Sequence, residues 1–337
     1  MSLLEINDLH VSVATETGNH TVLQSVNLSV DAGSTLCLVG ESGSGKSVTA
    51  MSVLRLNSEP QFRYDQGAIT FDGENILQMS DRRLRSLRGA GISMVFQDPT
   101  TSLNPAHRIG DQITETIRLH KRVTRQGALS RAIEVLHDVG IPSPENALRR
   151  YPHEFSGGMR QRALIAMALA CEPQLIIADE PTTALDVTSQ ARILTLLDKL
   201  KDQYGLALLL VTHDLGVVAQ MADKVAVMYA GSVVESGEAA DIFYDPLMPY
   251  TYGLLNSRPA TTAKRGALRP ISGSPPRLGD WPEGCRFAPR CEFARAECTQ
   301  KLPSPLSESE HTWRCVMGPA EAREARGHAL SARAENG

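Results

Sequence analysis

Eight consecutive residues, Gly40, Glu41, Ser42, Gly43, Ser44, Gly45, Lys46 and Ser47, fit the phosphate-cradling pattern G-x-x-x-x-G-K-[ST]. Glycines let the backbone take positive φ and approach an anion closely. Successive N–H groups and a helix N-terminus complete the cradle. In such a loop Lys46 reaches the β- and γ-phosphates and the Ser47 hydroxyl holds Mg2+. The pattern means little outside a strand–loop–helix setting, and a glycine-rich turn can match it by accident. Here the apolar run 35–39 supplies the strand, and Val48 with the residues to Leu54 opens a helix. The chain is therefore expected to bind a nucleoside triphosphate.

Four further stretches follow in order. Residues 94–97 end an apolar run on Gln97, and residues 151–162 carry Ser156, Gly157 and Gly158 ahead of a helical stretch. The run 175–180 reads as a buried strand ending in Asp179 and Glu180, and 206–214 as another ending in His213 and Asp214. Each has a bland reading: a turn, a solvated helix cap, a structural histidine. Their joint occurrence behind a phosphate loop removes the accidental reading.

Together these stretches resemble the nucleotide-binding subunit of ABC transporters, over about residues 1–258. The resemblance implies an α/β, phosphate-loop NTPase fold with a RecA-like core, an antiparallel β subdomain and a helical subdomain. It implies ATP and Mg2+ as ligands, with Gly40 to Val48 cradling the nucleotide. Asp179 would hold Mg2+ through water, Gln97 would ligate it, and Glu180 would polarise the attacking water. His213 would contact the γ-phosphate, Asp186 would belong to the loop Ala184 to Asp186, and Lys46 would act in catalysis. Ser156, Gly157 and Gly158 match the signature that contacts nucleotide held by the other subunit. One copy of each motif thus implies a second ATPase subunit, in this branch commonly a different homologous chain. Two departures stand out. Val13 occupies the place of an aromatic that stacks on adenine, and the signature reads FSGGM. The strings FSGGMRQR, FQDPTTSLNP and MPYTYGLL are similar to the branch that imports di- and oligopeptides. Relatives there take nickel, glutathione or antimicrobial peptides. Two membrane permeases and a separate solute-binding protein are the implied partners. A soluble ABC ATPase of DNA repair or translation is the rival, but this chain shows neither coiled-coil insertions nor two cassettes.

Composition agrees. The 337 residues carry 42% apolar content and a net charge of −4, so there is no polyelectrolyte-binding footprint and nucleic acid is not expected as a partner. No apolar run approaches the ~18 residues a membrane helix needs, and the start lacks the basic and apolar regions of a signal peptide. A peripheral position on the cytoplasmic face of the membrane is the expectation. Alternation over 3–13, 21–30 and 67–71 predicts strands, and helical periodicity over 109–120 and 126–139 predicts a helical subdomain. The basic run Arg82 to Arg88 reads as a solvated helix face.

Past residue 258 prolines accumulate and the texture changes. A first domain of residues 1–258 would give way to an extension over 259–317 and a tail over 318–337. The tail reads as frayed helix or disordered. Four of the six cysteines, Cys285, Cys291, Cys298 and Cys315, form C-x5-C-x6-C-x16-C. Disulfides are disfavoured in a reducing compartment. The spacing alone leaves free thiols and a tetrahedral metal site open, since the short knuckles of structural zinc are absent. Resemblance to peptide-importer ATPases with such an extension implies a [4Fe-4S] cluster on the four cysteines. Cys37 and Cys171 sit in apolar stretches as small hydrophobes.

Overall fold

Apolar runs uninterrupted by polar residues become strands buried on both faces. In a computed structural model, which describes residues 2–183, 185–257 and 271–334, strands Ile92–Val95, Leu175–Asp179 and Ala207–Thr212 lie parallel. Ile92 stands opposite Leu175, and Asp179 opposite Val211. Every residue of the second and third strands is buried, which is why they read as continuous Leu, Ile, Ala and Val rather than alternating. These strands belong, as far as Val211, to a first compact unit of Met1–Leu4, Val30–Thr35 and Phe71–Val211.

The helices of this unit are amphipathic. Ile109–His120 buries Ile109, Ile113 and Ile117, one face at four-residue spacing. It packs on Arg125–Asp138, and both meet Gly157–Leu169. Helix Val187–Tyr204 buries Ile193, Leu196, Leu197 and Leu200 and stops at Gly205, whose φ of +61° supplies the left-handed cap. The basic run lies on helix Asp81–Leu87, which buries Leu84 and Leu87 and leaves Arg82, Arg83 and Arg85 exposed. Arg83 pairs with Glu74 there.

The second unit comprises Glu5–Ser29, Leu36–Thr70 and Thr212–Gly337. Most of strands Ser2–Thr15 and Gly18–Asp31 falls within it; they are joined by two residues, a link only an antiparallel pair allows. Phe62–Phe71 flanks the first of them. Thr35–Val39 runs parallel to Lys224–Tyr229, with Leu36 opposite Lys224. Ala230 and Gly231, at φ +43° and +80°, then turn the chain into Ser232–Glu238; two positive φ values match the right-handed twist of a tight hairpin. The late segment adds His311–Trp313 beside Ser232–Glu238, and Leu306–Glu308 beyond it. Helix Pro319–Ala334 follows, with Arg323 and Arg326 both paired to Asp245.

A buried carboxylate ties this late segment down. The Glu235 side chain is fully buried and accepts from the Leu247 and Met248 amides at 2.6 and 3.2 Å and from His311 Nε2 at 2.8 Å. Glu235→Ala would strand several donors, each costing about 1–3 kcal/mol when left unpaired. A fall in thermal midpoint is therefore expected for Glu235→Ala, much smaller for Glu235→Gln. Equal midpoints for the two variants would contradict this account. Among the described residues no helix is long and apolar enough to cross a membrane.

Candidate functional site

The phosphate loop leaves the buried strand Thr35–Val39 and enters helix Lys46–Val53. Two of its glycines are required by space as well as by conformation. A Cβ on Gly40 would lie 2.1 Å from the Met228 carbonyl oxygen, and one on Gly45 would lie 2.8 Å from Leu23. Gly43, at φ +77°, has nothing within 4 Å of the same position, so the loop is open there. Lys46 is 6% exposed. Its Nζ donates to the carbonyls of Gly40 and Glu41 at 2.8 and 3.0 Å, which folds the side chain back along the loop. Ser44 Oγ is buried without a hydrogen-bond partner among the described residues. A buried ammonium, an orphaned hydroxyl and a helix start with no acidic residue in its first turn fit an anionic phosphate ligand. Ser47 and Val48 are half-buried beside them, and Ser42 is exposed.

Glu41 is held from two sides. Its amide donates to Tyr250 Oη at 2.9 Å, and its carboxylate accepts two bonds from Arg290, at 2.6 and 3.0 Å. Tyr229, Tyr250 and Phe287 pack as an aromatic cluster with centroids 4.6 to 5.4 Å apart. Burial pushes the Tyr250 and Tyr229 hydroxyls up, and the Glu41 carboxylate raises the Arg290 guanidinium further. Neither Tyr250 nor Arg290 emerges from the sequence as a site residue. Tyr250 lies in the string MPYTYGLL, which marks the branch but no role, and Arg290 carries no motif.

In the first unit the structure gathers Gln97, Glu180 and Thr183. Gln97 Nε2 and Thr183 Oγ1 both donate to Glu180 Oε2, at 3.0 and 2.8 Å. Glu180 has φ +46°, a left-handed conformation rare for a residue with a side chain and concentrated at functional positions. Its amide bonds the Val211 carbonyl at 2.9 Å, which holds that turn at the strand end. Asp179, 6% exposed, is the last residue of its strand. Ser156 caps helix Gly157–Leu169, its Oγ accepting from the Met159 amide at 3.4 Å. Asp186 caps Val187–Tyr204 through Ser189, whose hydroxyl and amide lower its carboxyl below the usual carboxylate range. Ala184, in the same loop, lies outside the described residues. In the second unit His213 is exposed where strand Ala207–Thr212 ends, beside Asp214, which caps Leu215–Met221. Val13 is buried in its strand at 7% exposure.

The expected [4Fe-4S] site is corrected by the structure. Cys285, Cys291, Cys298 and Cys315 are free thiols that line one small apolar cavity with Phe287 and Met317. Among the described residues no three His, Cys, Asp or Glu side chains are grouped so as to hold a metal ion. Desolvation pushes the Cys291 and Cys315 thiols up to about 12 and about 11 and raises Cys285. A metal ligand is a thiolate, and an apolar pocket disfavours that form. The four cysteines therefore pack as small hydrophobes, as do Cys37 and Cys171, both buried.

Comparison with known proteins agrees with this geometry. The ABC transporter family profile matches residues 23–183, and that of the oligopeptide/dipeptide transporter C-terminal region matches residues 234–298. The oligopeptide transport ATP-binding protein OppD of Salmonella typhimurium is 49% identical over 89% of each chain. The dipeptide transport ATP-binding protein DppD of Bacillus subtilis is 46% identical over 96% of this chain and 97% of its own. Among solved structures, the ATP-binding cassette MJ0796 in a dimeric post-hydrolysis state with ADP and Pi superposes with a TM-score of 0.63. It is 26% identical over 70% of this chain and 98% of that one. The chain belongs to the ATP-binding proteins of the oligopeptide/dipeptide ABC transporters, a family that hydrolyses ATP.

Proposed function

We propose that this chain is the ATP-hydrolysing subunit of an importer of di- and oligopeptides, seated on the cytoplasmic face of the membrane. The observation that carries the reading is the 49% identity to an oligopeptide transport ATP-binding protein along 89% of both chains. The loop from Gly40 to Val48 would bind the triphosphate, with Lys46 on its terminal phosphates. Ser47, Asp179 and Gln97 would hold Mg2+, which neutralises charge on the phosphate oxygens. Glu180, positioned by Gln97 and Thr183, would orient water for attack, and His213 would steady the γ-phosphate. Ser156, Gly157, Gly158 and Asp186 would act on nucleotide bound by a second, homologous ATPase. Catalysis of this kind is positioning and charge stabilisation rather than covalent chemistry.

The partners are then two permeases and a solute-binding protein. A groove among the helices of the first unit, lined by Arg108, Asp111, Arg118, Leu119, Arg125 and Leu129, supports permease docking there, because Leu119 is 74% exposed. We take residues 1–258 as the nucleotide-binding domain, 259–317 as the peptide-importer extension bearing the cysteines, and 318–337 as a tail. The first boundary falls on residues outside those described. Mass spectrometry of what co-purifies from gently solubilised native membranes tests the assignment. Two permeases, a second ATPase and a peptide-loaded binding protein are expected. A binding protein loaded with nickel or glutathione would replace the substrate, and soluble partners alone would overturn the transport reading.

A further inference from the structure

The bonds that converge on Glu41 reach beyond the phosphate loop itself. We propose that Arg290 is a positioning residue for ATP binding: it fixes Glu41, and through Glu41 the backbone on which Lys46 is anchored. The proposal rests on the phosphate-loop reading given above. Arg290 lies in the turn Ala288–Arg290, 249 positions from Glu41. Its side chain is 5% exposed and Glu41's is 27%. Both terminal nitrogens of the guanidinium bond the carboxylate, while Nε donates to the Ser272 carbonyl at 2.9 Å and Nη1 also reaches Tyr229 Oη at 3.2 Å. The fork is thus held in orientation before it meets Glu41. A planar guanidinium on a carboxylate fixes direction as well as distance.

Fixing Glu41 matters because three bonds of the loop depend on that residue. Its carbonyl and that of Gly40 hold Lys46 Nζ. Its amide is turned onto Tyr250 Oη, and its carbonyl also accepts from the Ser44 amide at 3.2 Å. A side chain that pins Glu41 therefore pins the resting place of the lysine that meets the phosphates. The late segment, built around Phe287 and the aromatic cluster, thereby takes part in ATP binding without touching the nucleotide.

ATPase kinetics of the assembled transporter, with ATP as the varied substrate, test this. Arg290→Ala is expected to raise KM for ATP about tenfold, the scale of one charge-assisted bidentate contact, with kcat little changed. Arg290→Lys, which keeps charge but not the fork, should fall between. The double variant Glu41→Ala/Arg290→Ala should be no worse than the worse single one, since both remove the same contact. An unchanged KM in Arg290→Ala, or strictly additive losses in the double variant, would overturn the proposal. So would a parallel loss of kcat and folded protein with KM constant, the mark of a structural role. If Arg290→Ala does not fold, Arg290→Lys and Glu41→Gln carry the test, and normal KM values in both refute it. Lys46→Ala separates the two levels. If it leaves ATP affinity intact, the phosphate-loop reading itself fails; if it abolishes affinity while Arg290 variants bind normally, only the positioning role fails.

Discussion

Replacing Glu180 with glutamine is expected to stop ATP turnover while leaving ATP binding in place. The substitution conserves shape. A glutamine oxygen can still accept the bonds from Gln97 Nε2 and Thr183 Oγ1 that hold the carboxylate at 3.0 and 2.8 Å. The strained turn at φ +46° and the amide bond to Val211 involve only backbone. What disappears is the charge and the basicity that would draw a proton from water. A positioned general base contributes on the order of 10²- to 10⁴-fold in rate, so kcat should fall by that factor with ATP affinity equal or tighter. Single-turnover hydrolysis and nucleotide titration on the same preparation separate the two effects. Normal turnover in Glu180→Gln would remove the base role.

Lys46→Ala should do the opposite, weakening binding first. Lys46 is nearly buried and is held by two loop carbonyls, so no other ammonium can take its place cheaply. Charge-assisted bonds contribute about 1.5–3 kcal/mol each, which corresponds to a loss of roughly 10- to 100-fold in affinity. Titration of the full chain with a fluorescent ATP analogue reads this directly. An unchanged dissociation constant would mean that the loop does not hold the phosphates. The pair of variants is informative together, because one removes chemistry and the other removes the ligand.

How far the sequence announces the fold differs by region, for physical reasons. The expected helices over 109–120 and 126–139 became Ile109–His120 and Arg125–Asp138, because each buries one apolar face. The strand expected over 67–71 proved to start at Phe62. Its first half alternates half-buried Phe62 and Tyr64 with exposed Arg63 and Asp65, but the alternation is short, buries no residue fully and breaks at Gln66 and Gly67. The position of Asp179 and Glu180 at a strand end was legible because the apolar run before them is a strand buried along its whole length. Thr183 was overlooked: nothing in a threonine three residues on distinguishes a partner of Glu180 from an ordinary turn. Arg290 was overlooked for a stronger reason. A contact spanning 249 positions leaves no local pattern, and an arginine beside a cysteine attracts attention to the cysteine. The cluster expected on the cysteines came from resemblance, since their spacing alone left free thiols open; the fold places all four around one apolar cavity, where desolvation raises the Cys285, Cys291 and Cys315 thiols.

The measurement that bears most directly on the central claim is ATP consumption by the assembled transporter in proteoliposomes, read alongside uptake of a labelled oligopeptide. With peptide-loaded binding protein on the outer side, hydrolysis should rise and peptide should accumulate inside, and Glu180→Gln should abolish both. ATP hydrolysis indifferent to peptide, with no accumulation in the complete assembly, would contradict the account.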